Sequence, residues 1–130
     1  MATIFTRIIT GEIPCHKIME NDKFLAFLDV FPLVKGHILV VPKLETDYIF
    51  DIADTDLAEM MIFAKKVAKA QKAAITCKRI GFAVIGLEVP HAHIHLVPMN
   101  TANDLNFTLP KLQIAPSELE EIAVLIKAKL

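Results

Sequence analysis

The stretch His91-Ala92-His93-Ile94-His95-Leu96-Val97-Pro98 decides the reading of this chain. Three of the chain's five histidines fall here, on alternate positions. In a β-strand alternate side chains share a face, about 6.5–7 Å apart. His91, His93 and His95 then line one face, and Ala92, Ile94 and Leu96 turn toward a core. A helix would scatter the same three rings around its axis. Imidazole suits a hydrophobic interior poorly, and clustered rings resist simultaneous protonation. One packed histidine in a strand is ordinary; three in alternation point to a lined cleft.

Working outward, further strands are expected at Lys17 to Met19, Phe24 to Val30, His37 to Val41 and Ile80 to Ile85, with the histidine strand spanning Ala92 to Val97. Each combines apolar or β-branched residues with turn residues at its ends: Glu20-Asn21-Asp22-Lys23, Pro32, Gly36 and Pro42, and Gly86 to Pro90. Ile4, Phe5, Ile8 and Ile9 share a helical face ahead of Gly11. A long helix follows the third strand, with Asp54 or Asp56 as its cap. Its apolar positions are Leu57, Met60, Met61, Ala64, Val67, Ala68 and Gln71, with Lys65, Lys66, Lys69 and Lys72 on a solvated side. A last helix runs from Pro116 to Leu130, with Ser117 and Glu120 at capping-box spacing and Leu119, Ile122, Ala123 and Ile126 as its buried face. Consecutive strands on both sides of the central helix imply an α+β fold, with a five-stranded mainly antiparallel sheet. At 130 residues a single domain spanning 1–130 is expected.

Composition narrows the function classes. Hydrophobic residues make up 54% and the net charge is −1, so the chain reads as ordered and globular. No basic excess points to a nucleic acid or a membrane surface. No apolar run approaches the roughly 20 residues of a membrane span. Cys15 and Cys77 lie far apart and form no C-x-x-C pair, and the N-terminus lacks a signal-peptide pattern. Free thiols in the cytoplasm are the expectation.

Histidine at i and i+2 serves two chemistries. Neutral imidazole binds zinc on strands, and Glu88 is the nearby carboxylate that could complete such a set. Imidazole also attacks phosphorus, provided one nitrogen is bare and the other holds its proton in a fixed hydrogen bond. A flanking histidine can then offset phosphate charge and protonate a leaving amine.

The motif and its surroundings resemble the histidine triad (HIT) superfamily of nucleotide hydrolases and transferases, closest to its Hint-like nucleoside phosphoramidase branch. The matching segments are Thr3-Ile4-Phe5, Gly11-Glu12-Ile13-Pro14, Leu25-Ala26-Phe27-Leu28-Asp29-Val30, Pro32, Gly36-His37-Ile38-Leu39-Val40-Val41-Pro42-Lys43 and the histidine stretch itself. The resemblance implies His93 as nucleophile toward the α-phosphorus of an AMP-type purine nucleotide, with His95 on the phosphate or leaving group. It pairs His91 with His37 to hold the tautomers. It assigns Asp29 to the ribose hydroxyls, Ile4, Phe5, Ile8, Ile13, Phe27 and Val30 to the base pocket, and backbone near Leu87 and Glu88 to the phosphate. It implies a homodimer with joined sheets and no cofactor. Leu87 follows Gly86 where many relatives carry glutamine, and Phe82-Ala83-Val84-Ile85 lacks their asparagine. Thr3 and Thr6 stand where some relatives place zinc-binding cysteines, so no metal is expected there. The alternatives are a dinucleoside polyphosphate hydrolase of the Fhit type, a nucleotide-binding module with weak catalysis, and a metal-dependent histidine site.

Overall fold

Five antiparallel strands form one sheet in the computed structural model, which describes residues 2–130. Strands β1 (Lys17–Glu20) and β2 (Phe24–Leu28) form a hairpin whose turn is tied by Asn21, whose side chain accepts the Lys23 and Phe24 N–H groups. Strand β3 (Ile38–Pro42) follows, then helix α2 (Asp54–Ala74), β4 (Arg79–Ala83) and β5 (Ile94–Met99). The spatial order is β1-β2-β3-β5-β4, so the histidine strand lies inside the sheet and β4 at its edge. The expected α+β architecture is the observed one.

Period-two alternation gives the sheet two buried faces. Phe24, Ala26 and Leu28 of β2, Ile38 and Val40 of β3, and Ile94 and Leu96 of β5 face the main core under α2 and helix α3 (Pro116–Lys127). Met60, Phe63, Ala64 and Val67 of α2 and Leu119, Ile122, Ala123 and Ile126 of α3 complete that layer. Leu25, Phe27, Leu39 and Val41 face the other way, against Phe5 of the short helix α1 (Ile4–Ile9). The register Leu39↔His95 sets His95 on this second face, away from α2. Gln71, expected on the helix's apolar stripe, is fully buried and donates to the carbonyls of Gly36 and Leu96. Met61 is 46% exposed, whereas its neighbour Met60 is buried.

Several expected boundaries shift. Helix α2 starts from Ala53 without a side-chain cap; Asp54 and Asp56 lie in its first turn, where their charge favours the helix N-terminus. Helix α3 starts from Ala115, and Pro116 opens it with its preset φ, so Ser117 forms no capping box. Strand β5 begins at Ile94, because the ladder to β3 ends at the Val40↔Ile94 pair. His91 and His93 therefore precede the strand. There the chain bends, with Ala92 N–H on the Thr46 carbonyl and His91 N–H on the Val89 carbonyl. No helix among the described residues is long and apolar enough to cross a membrane.

Candidate active site

Four histidines converge on the α1 side of the sheet, and hydrogen-bond direction fixes the proton of each. His37 follows Gly36, whose φ of 91° suits glycine. A Cβ there would press on Ile75 at 3.2 Å. The turn brings the Leu33 N–H to His37 Nδ1 at 3.1 Å. An N–H can only donate, so Nδ1 is bare and Nε2 carries the proton. That proton points to His95 Nδ1, 3.0 Å away. His95 must then carry its own proton on Nε2.

His93 is set in the opposite sense. Its Nδ1 lies 2.8 Å from the His91 carbonyl oxygen, which can only accept. The proton is on Nδ1, and Nε2 keeps a free lone pair. The ring sits edge-on to Phe5 at 4.9 Å and to His95 at 4.8 Å. A bare imidazole nitrogen thus stands beside a ring that offers an N–H.

His91 does not pair with His37, contrary to the expectation. The bend before β5 turns its ring back into a niche against Phe5, where Nε2 donates to the Pro42 carbonyl at 2.8 Å and Nδ1 meets Thr3 Oγ1 at 2.7 Å. His37 pairs with His95 instead, because it immediately precedes β3, which lies beside β5 in the sheet.

Burial disfavours the charged form of three of these rings, His37, His93 and His95. Desolvation, reinforced by His95, Lys111 and His93, holds His37 down to about 3. Desolvation, with His93 and Lys111, brings His95 to about 4. His93 is also lowered, again mainly by burial, with its bond to the His91 carbonyl opposing the shift. Asp29 ends the β2 run and accepts the Phe31 N–H through Oδ1. Its Oδ2 lies 3.8 Å from His37 Nε2. Burial raises its carboxyl to about 6, against the Phe31 hydrogen bond and the charge of Lys111.

Asp29, His37 and His95 bring candidate metal-ligand atoms within 4.8 Å of one another. The tautomer argues against a metal there. Ligation through His37 Nε2 would move its proton to Nδ1, facing the Leu33 N–H and setting two donors against each other.

The expected base-pocket residues divide. Phe5 and Phe27 are buried and packed together, 5.9 Å between ring centres, so Phe27 supports Phe5 from beneath. Ile8 and Ile13 are half-buried, while Ile4 and Val30 are exposed. Leu87 and Glu88 are exposed on the loop between β4 and β5, Leu87 at 88%. Sequence reading missed Phe107, which packs edge-on to His95 at 4.7 Å, and Lys111, which lies over the Phe107 ring and bonds its carbonyl. A lone aromatic in a polar stretch was the available signal. It also gave no role at His91 to Thr3 and Thr6, whose hydroxyls lie by Nδ1, or to Glu45, which accepts from both threonines.

Comparison with known proteins gives the family. The HIT domain profile matches residues 10–102. Adenosine 5'-monophosphoramidase hnt1 of Schizosaccharomyces pombe is 33% identical over 132 residues, covering all of this chain and 99% of that protein. Among solved structures, a Hit-like protein involved in cell-cycle regulation from Bartonella henselae superposes with a TM-score of 0.85 at 29% identity, covering 98% of this chain and 96% of that one. A zinc-bound histidine triad family protein from Mycobacterium smegmatis gives 0.83 at 28% identity, covering 99% and 93%. The chain belongs to the HIT domain family.

Proposed function

We propose that the protein hydrolyses nucleoside 5'-phosphoramidates, or related adenylylated compounds, through a nucleotidyl-His93 intermediate. The observation that carries this reading is the tautomer of His93, held with Nδ1 protonated by the His91 carbonyl and Nε2 bare. The monophosphoramidase relatives support the substrate class.

His93 Nε2 attacks the α-phosphorus, forming a P–N bond as the bond to the leaving amine breaks. The His37–His95 pair is uncharged in the free protein. An anionic phosphate beside it favours uptake of one proton. With that proton on the pair, His95 passes its own Nε2 proton to the departing amine. Water then attacks phosphorus, its proton goes to His95, and the P–Nε2 bond breaks to release the nucleoside monophosphate. Asp29 accepts the ribose hydroxyls, Phe5 and its apolar neighbours take the base, and backbone near Leu87 and Glu88 meets the phosphate.

The active form is read as a homodimer. Edge strand β4 with Ile85 just beyond it, the adjoining face of α2 and the short helical turn Ile49–Asp51 leave Phe82, Ile85, Met61 and Phe50 exposed around an apolar groove of about 550 Å³, on the helix side of the sheet. A second copy pairing β4 edge to edge would cover both the open ladder and this surface. Turnover of adenosine 5'-phosphoramidate, compared on one preparation with a diadenosine polyphosphate, tests the reading. Preferential release of AMP from the phosphoramidate is expected. Preference for the polyphosphate, or no turnover of either, would overturn it.

A further inference from the structure

His91 has no part in attack or proton transfer, yet its ring is completely buried and held at both nitrogens. The Pro42 carbonyl takes the Nε2 proton. The ring's other nitrogen, Nδ1, is hydrogen-bonded to the Thr3 hydroxyl, 2.7 Å away. Thr3 is itself held from two sides. Its Oγ1 accepts the Thr6 N–H at 3.1 Å as the cap of α1, and its own N–H donates to Glu45 Oε1 at 3.0 Å. The Thr6 hydroxyl donates to the same Glu45 oxygen at 2.7 Å. Glu45 thereby gathers two donors, and their bonds hold its carboxyl below the usual range. A helix cap needs only the Thr6 bond. The direct bond from Thr3 to a buried histidine 88 residues away serves something else.

That histidine's carbonyl is the acceptor that keeps the proton of His93 on Nδ1. We propose that Thr3, anchored by Glu45, is a positioning residue for His93: it locks the His91 ring, and so fixes the carbonyl that keeps His93 Nε2 bare. The inference rests on His93 being the nucleophile. Neither Thr3 nor Glu45 touches the reacting atoms. Their effect belongs in the chemical step, because a small misplacement of a nucleophile costs rate more than it costs binding.

The test compares wild type with Thr3→Val, Thr3→Ser and Glu45→Ala. Three readouts are taken: kcat and KM for adenosine 5'-phosphoramidate, the ring-nitrogen NMR shifts of His93, and the fraction of His93 labelled on rapid quenching. Thr3→Val is expected to lower kcat about tenfold with little change in KM. Its His93 shifts should move from the single Nδ1–H form toward a mixture. Thr3→Ser keeps the hydroxyl and should restore both. Glu45→Ala keeps the cap and the Thr3 hydroxyl, removes the acceptor shared by the Thr3 N–H and the Thr6 hydroxyl, and should give an intermediate loss. A purely capping Thr3 would instead raise KM by loosening α1, lower thermal stability and leave the His93 shifts unchanged. That pattern, or wild-type kcat in both Thr3→Val and Glu45→Ala, would overturn the proposal. Absence of label on His93 in turning-over wild type would instead refute the underlying nucleophile assignment.

Discussion

Replacing Asp29 by Asn should stabilise the free protein while weakening its grip on nucleotide. Burial raises the Asp29 carboxyl from 3.8 to about 6. At about 1.36 kcal/mol per pKa unit, that rise corresponds to a cost of roughly 3 kcal/mol for holding the charge in the folded state. The side chain is 22% exposed, so screening removes only part of this. The folded-state value lies above the unfolded one, so this group's contribution to stability falls as pH rises from about 4 to about 6 and is level above. The amide introduced by Asp29→Asn would keep an oxygen for the Phe31 N–H and carry no charge. Urea unfolding at pH 8 should therefore show Asp29→Asn more stable by about 2–3 kcal/mol, and at pH 4 the gain should nearly vanish. If the carboxylate holds ribose hydroxyls, AMP should bind the variant roughly 10–100-fold more weakly, as expected for a lost charged hydrogen bond. An equal gain at both pH values, or none at pH 8, would refute the buried-charge reasoning. Unchanged AMP affinity would refute the ribose assignment.

The acid limb of kcat/KM should lie below the ordinary histidine value of 6.5, because burial lowers His93 and attack needs its neutral form. With Asp29 titrating at about 6 as well, the limb should steepen in wild type and become shallower in Asp29→Asn; a limb above 6.5 would contradict both. His37→Ala should lower turnover without eliminating it, since His37 only hands a hydrogen bond to His95; complete loss in a folded variant would contradict that role. Phe82→Lys on the β4 edge should give a monomer by sedimentation, with the fold intact by circular dichroism; a dimer surviving that change would place the interface elsewhere. Ile126→Ala, at a fully buried α3 position, should cost about 2–4 kcal/mol of stability in a urea titration; a near-neutral effect would mean that α3 contributes little to the core.

Much of this architecture was legible because burial imposes a period. The alternation His93, Ile94, His95, Leu96 assigned faces correctly, with Ile94 and Leu96 in the core and the two rings opposite. The face of α3 was equally clear from Leu119, Ile122, Ala123 and Ile126. Boundaries were less so. Asp54, Asp56 and Ser117 had the chemistry of caps, but the backbone entered each helix from an alanine, a choice made by how the chain arrives rather than by which polar residue is near. The site showed the same division. Sequence placed the histidines together, while their partners depended on the bend at 91–93 and on strand adjacency. Local spacing could not reveal that His37 meets His95, or that Thr3 reaches His91 from the opposite end of the chain. Phe107 stands out as a lone aromatic in a polar segment, but nothing local says that it returns over His95.

The claim that His93 attacks phosphorus is tested most directly by trapping. Wild-type protein mixed with an adenosine phosphoramidate labelled at the α-phosphorus, and quenched within milliseconds, should carry label on one residue in an acid-labile, base-stable linkage. Mapping of the labelled peptide should place it on His93, and folded His93→Ala should bind nucleotide, take up no label and show no turnover. Label on His91 or His95, or near-normal turnover by His93→Ala, would contradict the account.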